Sequence, residues 1–335
     1  MENIKFYKAF EKPFKVHGLY GDIEKNGFRR MPEDVARNTS FDVHRLHTHT
    51  SGGRVRFRTD SESVVIKING PTYATWHLTA MARNGADLYI DHPYGSEYVG
   101  AVKPQNNGGD CTEVVKMPKG EHNVTIYLPL YGSVDSFEIG IVDGASLKEH
   151  SAAYQNELPI VYYGSSITQG ACASRPGRAY EALISRKYNV EYTCLGFSGA
   201  CKGEDAIVDY MSDLPMCAFV CDYDHNAPDA TYLENTHNKV YRKIREKNPD
   251  IPYFMITRPD FYFNENCISR RDVVMKSYLS ARDLGDKNVY FIDGSAFFNG
   301  EKAEDLTLDL THPNDEGFRR MATYIGDVIS KVMRF

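Results

Sequence analysis

Residues Gly164 to Gly170, with the sequence GSSITQG, combine residue types that could perform chemistry. The apolar stretch Pro159 to Tyr163 leads directly into them, so Ser166 follows a predicted buried strand. A loop at the end of a strand both fixes and exposes a side chain, which suits a nucleophile. Far downstream, Asp309 lies three residues before His312. A carboxylate at this spacing can orient and polarise an imidazole, which can then take a proton from a serine hydroxyl.

The composition limits the classes of protein to consider. The chain has 335 residues and a net charge of −6 at pH 7, and it lacks a long basic run, so we expect no nucleic-acid partner. No apolar run approaches the roughly 18 residues of a membrane span, and Met1 to Tyr7 has no apolar signal region, so we expect no membrane association. Seven cysteines without zinc-finger spacing favour a cytoplasmic protein with reduced thiols.

The elements that must position these residues follow two different patterns. From about Ser51 to Leu147, short runs of alternating apolar and polar residues are separated by turn residues. Arg54 to Arg58 and Ser136 to Ile141 are examples, and no helical period separates such runs. This pattern predicts an all-β sandwich or jelly roll over residues 1–152.

From Glu157 onward, apolar strands alternate with helical patterns. The predicted strands are Ile160–Tyr163, Tyr192–Leu195, Cys217–Cys221, Tyr253–Ile256 and Val289–Ile292, and the clearest helices are Thr231–Lys247, Arg271–Leu284 and an apolar stripe from Phe318 to Val332. Five continuous apolar strands between helices predict an α/β domain over residues 153–335, with a parallel sheet covered on both faces. In such sheets the site lies at the carboxyl ends of the strands.

Two more motifs follow predicted strands. Leu195 to Gly199 comes after the second strand of this half, and Asp222 to Asn226 comes after the third. Together with Gly164–Gly170 and Asp309–His312 they form four blocks, and their order resembles that of the SGNH hydrolases, also called GDSL esterases. The resemblance covers about residues 157–335 and implies a flavodoxin-like fold.

The resemblance implies a role for each block. Ser166 matches the nucleophile, His312 the base and Asp309 the acid that orients it. Gly199 and Asn226 match the residues of the oxyanion hole, to which Ser166 adds its backbone N–H group. Taken alone, Ser166 also suits a helix cap, while Gly199 and Asn226 also suit turns.

Other polar residues near the blocks are candidates for substrate contact. Asp224 and His225 lie beside the proposed oxyanion hole, and Arg175 lies in the loop after the first block. Local hydrogen bonding or simple solvation would explain the same residues. His47 and His49 would share a face of an extended segment, but no carboxylate or cysteine at ligand spacing supports a metal site. We therefore expect neither a metal nor another cofactor.

Gly85 to Tyr89 resembles the Gly-x-Asp-Leu-Tyr signature of a β-domain that is fused to some SGNH esterases. Several of those enzymes are similar to carbohydrate acetyl esterases, so the resemblance implies a serine esterase for short O-acyl esters, O-acetyl foremost, of a small molecule or oligosaccharide. Asp87 and Tyr89 are expected to be structural. The alternatives are an acyltransferase that forms the same acyl-serine and a non-catalytic carbohydrate-binding protein. Whether the protein forms a homo-oligomer stays open.

Overall fold

The computed structural model describes residues 3–72, 75–104, 109–259 and 265–335. The strands of the first half are β1 Ile4–Lys8, β2 Lys15–His17, β3 Arg54–Thr59, β4 Ser63–Asn69, β5 Ala86–His92, β6 Gly95–Val102, β7 Cys111–Lys116, β8 His122–Tyr127, β9 Ser136–Val142 and β10 Leu147–Lys148. They form two antiparallel sheets, in the orders β1-β9-β4-β7 and β10-β3-β8-β5-β6, with β2 added beside β3.

A single apolar core lies between these two sheets. Every second residue of a strand points to the same side, and Val55 and Phe57 of β3 share this core with Ile66 of β4 and Ile139 of β9. The packing confirms the predicted β-sandwich. The sequence did not predict four short helices in this half, which are α1 Ile23–Asn26, α2 Glu33–Thr39, α3 Phe41–Leu46 and α4 Ala80–Asn84.

The second half contains a parallel sheet. Its strands are β11 Ile160–Gly164, β12 Tyr192–Gly196, β13 Ala218–Asp222, β14 Tyr253–Ile256 and β15 Val289–Ile292, in the order β12-β11-β13-β14-β15. Counted from β11, this is the 2-1-3-4-5 order of flavodoxin-like folds. The predicted fold class is therefore confirmed, and each predicted strand agrees with the structure within one residue at either end.

Helices cover both faces of the parallel sheet. They are α5 Tyr180–Tyr188, α6 Asp205–Ser212, α7 Ala230–Lys247, α8 Glu265–Asp283, α9 Ala303–Leu306 and α10 Asp315–Met333, with short 3-10 turns at Pro176–Arg178, Asp224–Asn226 and Gly294–Ala296. Apolar side chains of α5 and α10 join the core on one face, and those of α6, α7 and α8 join the core on the other. None of the helices in the described ranges is long and apolar enough to cross a bilayer.

The two halves share packing in two places. Val43 and Leu46 of α3, from the first half, lie in the same core as Phe219 of β13. On the opposite face of the sheet, Leu78 and Tyr131 of the first half join the core that contains β11. The boundary at residues 152 and 153 stays a prediction, but the halves meet along extensive buried surface that the sequence did not indicate.

Candidate active site

A chain of two hydrogen bonds joins Ser166, His312 and Asp309. The hydroxyl oxygen of Ser166 lies 2.9 Å from Nε2 of His312, and Nδ1 of the same ring lies 2.8 Å from Oδ2 of Asp309. Ser166 follows β11, whereas the other two residues lie in the loop between α9 and α10. This geometry allows His312 to accept the serine proton while Asp309 holds the ring in the required tautomer.

Backbone groups position Asp309 against His312. Oδ1 of Asp309 accepts hydrogen bonds from the N–H groups of His312, at 2.8 Å, and Thr311, at 3.2 Å. Leu310, between them, has φ of +66°, which lets the chain turn back on itself. Burial alone would raise the pKa of Asp309, but the hydrogen bonds from His312 lower it below the ordinary value. Asp309 is therefore a carboxylate at neutral pH.

The loop that carries Ser166 is tied to the neighbouring strand. The Ser165 hydroxyl accepts a hydrogen bond from the N–H group of Ile167 at 3.1 Å. Asp222, the last residue of β13, accepts hydrogen bonds at its Oδ2 from the hydroxyls of Thr168, at 3.0 Å, and Tyr180, at 3.1 Å. These contacts are buried, so the nucleophile candidate lies on a rigid support.

The predicted oxyanion residues lie at the ends of adjacent strands. Gly164, the last residue of β11, is in register with Gly196 on one side and Asp222 on the other. The segments with Ser166, Gly199 and Asn226 therefore leave the sheet at the same level. This register brings the three blocks to one edge of the sheet.

Gly199 and Asn226 have conformations compatible with an oxyanion hole. Gly199 has φ of +68°, which disfavours other residues, and no heavy atom lies within 4 Å of a Cβ built there. The side-chain amide of Asn226 donates one hydrogen to the Phe197 carbonyl at 3.0 Å. The amide nitrogen carries a second hydrogen that can serve another acceptor. The roles of both residues stay predictions.

Gln169 is a buried residue of the site that the sequence reasoning missed. Its Oε1 accepts from the N–H group of Ser198 at 2.9 Å, and its Nε2 lies 3.2 Å from the Leu130 carbonyl and 3.1 Å from Nδ1 of His49. It thus holds the turn that contains Gly199 against the first half. Its place within the first block was the only signal in the sequence.

The histidine cluster around residue 47 has structural contacts. His49 bonds with Gln169, and burial lowers the pKa of His49 to about 3. The rings of His44 and His47 stack with centroids 5.3 Å apart. Across the described ranges of the chain, no group of three or more His, Cys, Asp or Glu residues is placed to hold a metal ion.

The proposed substrate-contact residues have partners within the protein. Nε of Arg175 lies 3.2 Å from Oδ2 of Asp87, and its guanidinium lies 4.0 Å from the centroid of the Tyr98 ring. Asp224 accepts a hydrogen bond from the N–H group of Arg258 at 3.1 Å, and His225 is partly buried in the same 3-10 turn. A contact of these residues with substrate stays a prediction.

The Gly-x-Asp-Leu-Tyr signature anchors the loop that follows Ser166. The carboxylate oxygens of Asp87 accept from the N–H group of Gly177 at 2.9 and 3.1 Å, and the Tyr89 hydroxyl donates to Asp87 at 3.0 Å. A Cβ at position 177 would lie 2.7 Å from Tyr89, so this approach requires glycine. The signature joins β5 to the 3-10 turn before α5.

The first half also contacts His312 and Ser166 directly. The His77 ring stacks on that of His312, with centroids 5.3 Å apart. The Tyr131 hydroxyl lies 3.4 Å from the Ser166 carbonyl, and Cys172 donates its thiol to the His77 carbonyl at 3.1 Å. Sequence reasoning missed His77 and Tyr131, since no local motif marks either residue.

Both halves of the chain match known protein families. Residues 157–330 match the GDSL-like lipase/acylhydrolase family. The chain belongs to this family. In addition, residues 4–147 match the GxDLY family, described as the N-terminus of SGNH-hydrolase-type esterases. Both resemblances seen in the sequence are therefore confirmed.

Solved structures share the fold of this family member over nearly its whole length. A protein from Bacteroides ovatus, described as a GDSL-like lipase, is 30% identical with a TM-score of 0.88, covering 99% of this chain and 98% of that one. The salicylyl-acyltransferase SsfX3 of a tetracycline biosynthetic pathway is 20% identical, with a TM-score of 0.81 and coverage of 98% and 97%. An acetyl xylan esterase from the rumen bacterium Butyrivibrio proteoclasticus is 11% identical, with a TM-score of 0.61 and coverage of 98% of both chains. The last two likenesses concern the fold alone. Among curated proteins, none matches this chain.

Proposed function

We propose that this member of the acylhydrolase family is a serine esterase that hydrolyses short-chain O-acyl esters, O-acetyl foremost, of a carbohydrate. The observation that carries the proposal is the hydrogen-bonded series Ser166, His312 and Asp309 at the carboxyl edge of the parallel sheet. A hydroxyl, an imidazole and a carboxylate in this order are the groups that acyl transfer through a serine requires.

The reaction proceeds in two steps, acylation of Ser166 and hydrolysis of the acyl-serine. His312 Nε2 takes the proton of Ser166 as its oxygen attacks the ester carbonyl, and the tetrahedral intermediate expels the alcohol oxygen, which receives that proton from His312. The acyl group then remains on Ser166. His312 next deprotonates a water molecule that attacks the acyl-serine, and the serine oxygen leaves with the proton, releasing the carboxylic acid. Asp309 stabilises the imidazolium in both steps of the reaction.

The developing oxyanion requires donors placed in advance. The N–H groups of Ser166 and Gly199 and the side-chain amide of Asn226 are the donors in this proposal. The hydrogen bond from Asn226 to the Phe197 carbonyl holds the amide, so little reorganisation accompanies the reaction. Loss of one such donor lowers turnover by about 10²- to 10³-fold in other acyl-transfer enzymes.

The proposed substrate class has support from fold neighbours. An acetyl xylan esterase and several family two carbohydrate esterases share this two-part architecture. Ser166 is 6% exposed, and a small acyl group suits a nucleophile with so little open surface. Acetylated sugars are therefore the substrates to test first.

The deciding experiment compares wild type with Ser166→Ala on the p-nitrophenyl esters of acetate, butyrate and octanoate. We expect activity that falls as the acyl chain lengthens and disappears in the variant, followed by release of acetate from acetylated xylan. A Ser166→Ala protein that retains wild-type hydrolysis would sink the proposed mechanism.

Acyl transfer is a second candidate, because the salicylyl-acyltransferase superposes on nearly the whole chain. The same acyl-serine would then pass to a sugar hydroxyl instead of water. Product analysis with p-nitrophenyl acetate and competing sugar acceptors separates the two, since an esterase releases acetate even when acceptors are abundant. Saturable sugar binding without turnover of any ester would instead favour a carbohydrate-binding protein.

A further inference from the structure

Three rings form a series that runs from the triad to solvent. The His77 ring stacks on His312 at a centroid distance of 5.3 Å, and the Trp76 ring lies against that of His77 with a centroid distance of 4.9 Å. Trp76 is the only tryptophan of the chain and is 80% exposed. The first half of the chain thus places a large flat apolar ring one side chain away from the predicted catalytic base.

The three residues that follow Trp76 are anchored, although the indole itself is exposed. Leu78 is buried in the core shared by the two halves. The Cys172 thiol donates to the His77 carbonyl at 3.1 Å, and Thr79 donates its hydroxyl to the Ser174 carbonyl at 2.6 Å. Both partners belong to the loop that follows Ser166. The residues that follow Trp76 are therefore tied to the loop that follows Ser166.

An exposed indole is unusual, because tryptophan normally buries most of its surface. At the rim of a binding site, however, an aromatic face provides a large and rigid contact area. One side of a pyranose ring is made of C–H groups, and this side packs well on such a face. Trp76 therefore suits a substrate that carries a sugar ring.

The mechanism determines which part of the ester lies there. His312 returns the proton to the oxygen of the departing alcohol, so that alcohol must lie against His312. His77 stacks on His312, and the exposed ring of Trp76 lies against His77. The acyl group, by contrast, is attached to Ser166, which is almost buried. A ring on the alcohol side of the ester is thus the part that reaches Trp76.

We propose that Trp76 is a specificity-determining residue that stacks on the pyranose ring of the alcohol from which the acyl group is removed. This inference rests on the proposed esterase function and extends it, because it assigns the recognition of the sugar to the first half of the chain.

The test compares Trp76→Ala and Trp76→Phe with wild type on two acetate esters. Ethyl acetate has an alcohol without a ring, and a mono-O-acetylated methyl β-D-glucopyranoside has a pyranose. We expect Trp76→Ala to lower kcat/KM for the sugar ester by about tenfold or more, mainly through KM, since a lost aromatic stack is worth that much. Ethyl acetate should change less than about twofold, and Trp76→Phe should restore part of the loss.

Tyr94→Ala is the matched control. Tyr94 is 87% exposed, lies between β5 and β6 in the same half, and stacks on His92. Its loss should leave both substrates unaffected. Equal effects of Trp76→Ala on both esters, or none on the sugar ester, would overturn the proposal. So would a loss seen only with ethyl benzoate, whose ring lies on the acyl side.

Trp76 also provides a binding signal that does not depend on turnover. Selective excitation of tryptophan reports on this position alone, since the chain has one tryptophan. In Ser166→Ala, titration with the acetylated glucoside should change the emission with saturation, and an unchanged emission would overturn the proposal. If wild type hydrolysed no ester, the esterase function would fail while this titration still decided whether a sugar stacks on Trp76.

Discussion

The imidazole of His77 stacks on the imidazole of His312, with ring centroids 5.3 Å apart and planes inclined by 24°. His77 lies between β4 and α4 of the sandwich, whereas His312 lies before α10 of the other half. The predicted catalytic base therefore rests on a ring supplied by the first half.

His77 should influence the reaction in acid. Burial, followed by the charge of His312, lowers the pKa of His77, so the ring is neutral near neutral pH and gains charge only as the pH falls. A protonated His77 would repel the imidazolium that forms on His312 in the transition state. Between neutral and acid pH, we expect the kcat/KM of wild type to fall about three- to tenfold more than the kcat/KM of His77→Phe.

The measurement is kcat/KM for ethyl acetate between about pH 8 and about pH 5. Phenylalanine keeps a stacked ring and removes the charge, together with the hydrogen bond between the imidazole and the Thr75 hydroxyl. Because each protein is compared with its own value at neutral pH, the pH dependence reports on the charge. His77→Ala serves as the control that removes ring and charge together. Parallel pH profiles for wild type and His77→Phe would contradict the expected repulsion.

Asp309→Asn should impair catalysis while leaving the loop intact. The asparagine oxygen can still accept from the N–H groups of Thr311 and His312. Its amide then faces Nδ1 of His312 and donates to it, which fixes the tautomer that cannot take the Ser166 proton. We expect kcat to fall by about 10³- to 10⁴-fold, with a Tm close to that of wild type. An active variant would mean that Asp309 does not set the tautomer.

Asn226→Ala tests the proposed oxyanion donor. We expect kcat to fall by about 10²- to 10³-fold with little change in KM, because the amide acts on the transition state. Stability should fall by only about 1 kcal/mol, the usual contribution of one hydrogen bond such as that to Phe197. Steady-state kinetics and urea unfolding measure the two effects separately. A variant that loses stability but not kcat would assign Asn226 to the turn alone.

Asp87→Ala tests the anchor between β5 and the catalytic loop. The change leaves the N–H group of Gly177 without its acceptor and the guanidinium of Arg175 without its nearest carboxylate. We expect the free energy of unfolding to fall by about 3 kcal/mol, as for other broken buried ion pairs. Asp87→Asn, which keeps the shape and an acceptor, should lose less. Equal stability of Asp87→Ala and wild type in denaturant titrations would contradict an anchoring role.

The strands of the parallel sheet are the part of the fold that the sequence predicts best. β14 and β15 have the predicted bounds, and β11 to β13 differ by a residue at most. Buried strands read as continuous apolar runs, so local composition is sufficient. In contrast, β1 pairs with β9, where Ile4 is in register with Val142. Such a pairing depends on contacts between distant segments, and a local pattern does not record them.

The sequence also did not predict where α2 and α3 pack. Their residues Ala36, Val43 and Leu46 are buried against the parallel sheet, although by sequence they lie between β2 and β3 of the sandwich. A short amphipathic helix shows that it must cover an apolar surface, but not which surface it covers. The hydrogen bonds of Gln169 could not be predicted either, because its three partners lie on separate segments of the chain.

The sequence by itself determined the relation of Asp309 to His312 and the position of Ser166 at the end of a strand. Both depend on short spacings, and over a few residues the geometry of the backbone limits where side chains can go. Only the tertiary structure decided that Ser166 meets His312 across 146 positions of the chain and that His77 covers the same ring. The first contact follows from the fold of the second half, which brings the loop after β11 and the loop before α10 together, and the second follows from the packing of the two halves. No local spacing encodes either contact.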